Sequence, residues 1–143
     1  MSPFSRLATR VLIVAAGIVS MGCNSFDPEG DEPFNPPPAY REWWSKTQNC
    51  SGLKADFSTI RWALVPGKSF PCESGQCVGH WQSNGEIWIA SDWKDNEMVV
   101  RHEMLHALIG EPGHPNPPFG AECPLTWKTW KGGAAGLRIQ RLD

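Results

Sequence analysis

The stretch Met98-Val99-Val100-Arg101-His102-Glu103-Met104-Leu105-His106-Ala107-Leu108-Ile109-Gly110 decides how this chain is read. It carries an H-E-x-x-H motif between apolar flanks. Residues four apart lie about one turn apart on the same face of a helix, so His102 and His106 can reach one metal ion. Met98, Val99, Leu105 and Ile109 fall within about 60° of His102, which places the histidines on an apolar face. Glu103 lies about 100° round, where it can approach a metal-bound water without taking a coordination position. A zinc ion held by histidines lowers the pKa of such a water toward neutrality, and a neighbouring carboxylate can then take its proton. Gly110 supplies a C-terminal stop and Pro112 prevents continuation, so the helix is expected over about 93–109, capped by Asp92 or Asp95.

Downstream the chain reads Gly110-Glu111-Pro112-Gly113-His114. The whole run resembles the active-site segment of the zincin metallopeptidases, whose helix carries H-E-x-x-H and whose third ligand lies further along. The metzincin branch continues as H-E-x-x-H-x-x-G-x-x-H. Here the glycine comes one residue late and the histidine two residues late, although helix, glycine turn and returning histidine keep their order. The resemblance covers about 13 residues closely and about 55 loosely. It implies one Zn2+ held by His102, His106 and His114, with Glu103 as general base. Glu111 and Glu122 are the rival third ligands, with Asp92 and His80 behind them. His80 is otherwise a structural strand residue or a donor to a developing oxyanion. Arg101 is expected in a salt bridge or in solvent. The only tyrosine, Tyr40, lies near the N-terminal arm, so the transition-state stabiliser has no candidate of that type.

Upstream of the motif the pattern changes period. Residues 40–48 read as a short helix. Ile60 to Val65 reads as a strand stopped by Pro66-Gly67, Cys77 to Trp81 as a second, and Glu86 to Ala90 as a third, with Ser83-Asn84-Gly85 as hairpin-turn chemistry. The expected fold is α+β: a small zincin-like domain in which a short twisted sheet packs on the H-E-x-x-H helix, stabilised by disulfides. In zincins a strand beside the cleft pairs with substrate, and the strand at Glu86 to Ala90 is the candidate for that role.

The N-terminal region has a different character. Residues 1–22 read as a signal peptide, with basic Arg6 and Arg10 and the apolar run Val11 to Val19, which is short for a membrane span. Ser20-Met21-Gly22-Cys23 resembles a bacterial lipobox, with Ser20 where leucine is usual; an ordinary secreted protein is the alternative. Cys23 would carry the lipid and become the mature N-terminus. Residues 23–39 are rich in proline and acid and read as a tether, unless Phe26 and Phe34 dock it along the domain. Residues 40–143 form one small domain. Five cysteines less Cys23 leave Cys50, Cys72, Cys77 and Cys123. In an exported chain these suggest two disulfides, Cys72–Cys77 across a tight loop and Cys50–Cys123, among three connectivities. No C-x-x-C pair favours a cysteine metal site.

The chain has 15 acidic and 13 basic groups and no basic stripe, which argues against a nucleic-acid partner. Its eight tryptophans belong to core or cleft wall. The combined expectation is a monomeric zinc peptidase acting on a peptide or protein substrate, lipid-anchored at a bacterial cell envelope and facing an extracytoplasmic space. The alternatives are a non-catalytic, zinc-stabilised binding module on the same scaffold and a surface protein without metal. No substrate-binding subsite is legible.

Overall fold

The computed structural model describes residues 28–131. The expected signal peptide and the expected lipidation at Cys23 lie outside the described residues. Helix α1 (Pro38–Ser51) starts with proline at its first turn, where a missing N–H costs nothing, and ends at Gly52 in the left-handed conformation. Strand β2 (Arg61–Val65) follows. Next comes the hairpin β3 (Phe70–Cys72) and β4 (Gly75–Cys77), then the hairpin β5 (Gly79–Gln82) and β6 (Glu86–Ala90). Helix α2 (Glu97–Ile109) carries the motif. The Asn96 side chain caps α2 by accepting from the Val99 N–H at 3.1 Å. The helix therefore starts four residues later than the acidic residues suggested. Ser91–Trp93 instead forms a short 3₁₀ turn, and neither Asp92 nor Asp95 is the cap.

The result is a small mixed α+β fold with two helices, a four-stranded sheet, a two-stranded sheet and two disulfides. A short strand, β1 (Glu32–Pro33), pairs antiparallel with β2. The arm expected as a tether thus joins the sheet from Glu32 onward. Phe34 explains this, packing edge-on against the Tyr40 ring at 5.8 Å while its N–H donates to the Trp62 carbonyl. The larger sheet runs β1-β2-β6-β5, with β2 and β6 parallel and β5 and β6 antiparallel. This overturns the substrate-strand expectation for Glu86 to Ala90. β6 is hydrogen-bonded on both sides, so no main-chain edge is left for a substrate. The two edge strands are β1 and β5. Cys77, read as the start of that strand, belongs to β4 in the second sheet.

Alternation along the strands divides the core. Trp62, Trp81, Ile87 and Ile89 face the helices and pack with Tyr40, Trp44, Met98, Val99, Val100 and Met104. Ala63, Val65, Trp88 and Ala90 face the other way and are covered by Phe70 of the β3–β4 hairpin. A third cluster of Leu105, Phe119, Cys123 and Leu125 lies on the remaining side of α2. Both expected disulfides are present, Cys50–Cys123 with Cα atoms 5.3 Å apart and Cys72–Cys77 at 5.9 Å. The first ties α1 to the loop after α2, so the motif helix is held on three sides. Among the described residues no helix is long and apolar enough to cross a membrane.

Candidate metal centre

His102 and His106 stand one turn apart on α2, and their Nε2 atoms are 3.1 Å apart. Gly110, in the left-handed conformation, ends the helix and turns the chain back. His114 returns on that turn, with its Nε2 3.1 Å from that of His102. The three histidines lie within 4.8 Å of one another and could hold a metal ion. No other group among the described residues meets that condition. The carboxylates of Glu111 and Glu122, with Asp92 and His80, stay outside it.

Hydrogen bonding at the far side of two rings sets what the near side can do. His102 Nδ1 donates to the Leu125 carbonyl at 2.6 Å, and His106 Nδ1 donates to the Glu111 carbonyl at 2.9 Å. A carbonyl only accepts, so each Nδ1 carries the hydrogen and each Nε2 of a neutral ring presents a lone pair. Two lone pairs 3.1 Å apart repel unless a cation lies between them. Tetrahedral zinc with nitrogen ligands at 2.0–2.1 Å would set its ligand atoms about 3.3 Å apart, close to the spacing here. Burial keeps both rings neutral. It lowers the His102 pKa despite the Leu125 hydrogen bond, and lowers His106 to about 4, helped by the neighbouring His102. The donor set therefore fits a borderline divalent ion.

Phe119 is the floor of this centre. Its ring lies 5.2, 5.1 and 4.7 Å from the rings of His102, His106 and His114. It is buried with Leu105, Cys123 and Leu125, so the Cys50–Cys123 disulfide, the floor and the Leu125 carbonyl form one anchored unit.

Glu103 lies beside the triad, on a different helical face and 6% exposed. It borders the same cleft as His102 and His114, a space of about 520 Å³ also lined by Gly79, Gln76 and Trp127. Burial pushes its carboxyl pKa up to about 8, against the opposing pull of the Trp81 N–H, which donates to it. Burial thus favours the neutral form of this carboxyl in the metal-free protein. Trp127 is 47% exposed and packs edge-on with Trp93 at 5.7 Å, giving the cleft an aromatic rim.

The other expected residues fall in structural places. His80 stacks on Trp88 at 6.0 Å and is not one of the three clustered histidines, although it lies near enough to His106 to act on it electrostatically. Arg101 pairs with Glu97 at 3.0 Å and donates to Thr47 Oγ1, locking α2 to α1. The Tyr40 hydroxyl is buried and donates to the Lys94 carbonyl. Sequence reasoning missed Phe119, Gly79, the Trp81 N–H and the two carbonyls that orient the histidines. Main-chain groups leave no sequence signal. Phe119 left one, as an aromatic in a proline-rich loop pinned by a cysteine.

The chain matches no family model, no curated protein and no solved structure.

Proposed function

We propose that this protein is a zinc-dependent peptidase. The observation that carries the reading is the pairing of a three-histidine cluster with a buried carboxyl at the wall of one cleft. Three imidazole ligands would leave a fourth tetrahedral position open, the pattern of catalytic rather than structural zinc. When bound, zinc acts as a Lewis acid and makes water a usable nucleophile near neutral pH.

The chain's own groups do the rest. His102 and His106 are held in one tautomer by the Leu125 and Glu111 carbonyls, so their Nε2 atoms need no rearrangement to bind an ion. Glu103 takes a proton from the attacking water as its oxygen bonds to the scissile carbonyl carbon. It returns that proton to the amine nitrogen as the C–N bond breaks. Strand β5 borders the cleft and has no strand neighbour on its outer side among the described residues, which supports an extended peptide as substrate. Trp127 supports an apolar or aromatic side chain beside the scissile bond. The N-terminal leader and Cys23 support a lipid-anchored location at a bacterial envelope, and the two disulfides are consistent with an oxidising compartment.

Cleavage of a peptide library by the zinc-loaded protein, beside Glu103→Ala, tests this directly. The expected result is turnover by the wild type and none by the variant, with zinc content equal in both. Turnover retained by Glu103→Ala would refute the mechanism. A wild type that binds one zinc and cleaves nothing would favour the binding-module alternative.

A further inference from the structure

The edge strand β5 does more than border the cleft. Where it passes α2 its residue is Gly79, and a Cβ built there would sit 2.7 Å from Glu103 Oε1, 2.8 Å from Cγ and 3.1 Å from Cδ. The first two are closer than real Cβ contacts come, the third is tighter than most, and Glu103, only 6% exposed, could yield only toward the cleft and away from its place beside the triad. The Gly79 backbone is not in the left-handed region that would itself call for glycine. Space, not backbone conformation, is what a side chain lacks here: any Cβ would displace the Glu103 carboxylate.

Two residues along, the same strand supplies the Trp81 N–H to the carboxylate. The strand register explains why this N–H is free to do so. The Ala90 N–H donates to the Val78 carbonyl, so alternate residues from Val78 onward face β6 with their main-chain groups. Gly79 and Trp81 therefore turn theirs to the outer edge. The Trp81 amide has no strand partner there, and Glu103 takes that place.

We propose that Gly79 is a positioning residue for Glu103. Its bare Cα and the outward Trp81 N–H form a seat that fixes the carboxylate beside the histidine triad. This rests on the peptidase reading for its catalytic consequence, though not for its geometry. A rival explanation for the glycine is close approach of substrate backbone to the strand. That rival predicts a raised KM and no dependence on Glu103.

A double-mutant cycle on thermal unfolding of the metal-free protein tests the seat without any activity measurement. Gly79→Ala should lower Tm by about 5 °C or more in the wild-type background, and by about 1 °C or less when Glu103→Ala is present. Equal losses in both backgrounds would overturn the proposal. Should Gly79→Ala alone not fold, the double variant should fold, and failure of both would also overturn it. Amide exchange gives a second reading: Trp81 protection should fall in Glu103→Ala and in Gly79→Ala, and unchanged protection would count against the seat. In the zinc-loaded enzyme Gly79→Ala should keep one zinc and a KM within about threefold of wild type, while kcat falls about 100-fold. A KM effect with kcat unchanged would establish the rival. A wild type without turnover would remove the catalytic half of the inference, and the cycle would still decide the seat.

Discussion

Removing the two disulfides one at a time should separate stability from metal binding. Cys50 and Cys123 are 73 residues apart in sequence, and Cys72 and Cys77 are five apart. Loop closure in the unfolded chain then gives the long bridge about 4 kcal/mol of stabilisation and the short one about 2 kcal/mol. The functional consequences differ more than the energies. The long bridge pins the loop that carries Phe119 and the Leu125 carbonyl, which together floor and orient the histidines. The short bridge closes a hairpin that lines the cleft and contacts none of the three rings. Cys50→Ala/Cys123→Ala should therefore cost about 4 kcal/mol in urea unfolding of the metal-free protein and weaken zinc affinity about 10–100-fold, the usual cost of losing an orienting partner. Cys72→Ala/Cys77→Ala should cost about half as much and leave zinc affinity unchanged. Competition with a chromogenic chelator measures the affinity. Equal zinc affinities for the two variants, or equal losses of stability, would refute the reasoning.

The buried carboxyl predicts a pH effect in the metal-free protein. Folding raises the Glu103 pKa to about 8, so its neutral form is the one the fold accommodates. Its contribution is full below the unfolded value of about 4.3 and is lost as pH rises toward 8. The stability difference between Glu103→Gln and wild type should thus grow in favour of the variant across that window, and a constant difference would contradict it. His102 and His106 run the other way, with lowered pKa values that cost stability as pH falls below about 6.5; they cancel in this comparison. Phe119→Ala should destabilise the chain by about 3–5 kcal/mol, since the ring is buried among Leu105, Cys123 and Leu125, and chemical denaturation would show it. His114→Ala, at an exposed position, should leave unfolding of the metal-free chain within about 0.5 kcal/mol of wild type while sharply weakening zinc binding.

What the sequence made legible followed from period and spacing. The motif helix, its stop at Gly110, the strands later seen as β2 and β6 and the turn at Ser83-Asn84-Gly85 all show in local pattern. The returning His114 and the two cysteine pairings were likewise legible. Strand order was not, because the parallel pairing of β2 with β6 is decided by how α2 and the β3–β4 hairpin cover the two faces. That one fact put Glu86–Ala90 in the sheet interior and Gly79–Gln82 at an edge. The cap at Asn96 was masked by two acidic residues nearby that could serve equally well in principle. The seat at Gly79 was hidden because a glycine on a strand has many explanations until its neighbour is known.

Catalysis as proposed requires the three histidines to share one ion. Zinc should therefore be counted in the purified, oxidised protein after demetallation, zinc addition and dialysis, beside His102→Ala/His106→Ala. About one zinc per wild-type chain and none in the variant is the predicted result. A folded wild type that retains no zinc would contradict the metal centre, and the peptidase reading would go with it.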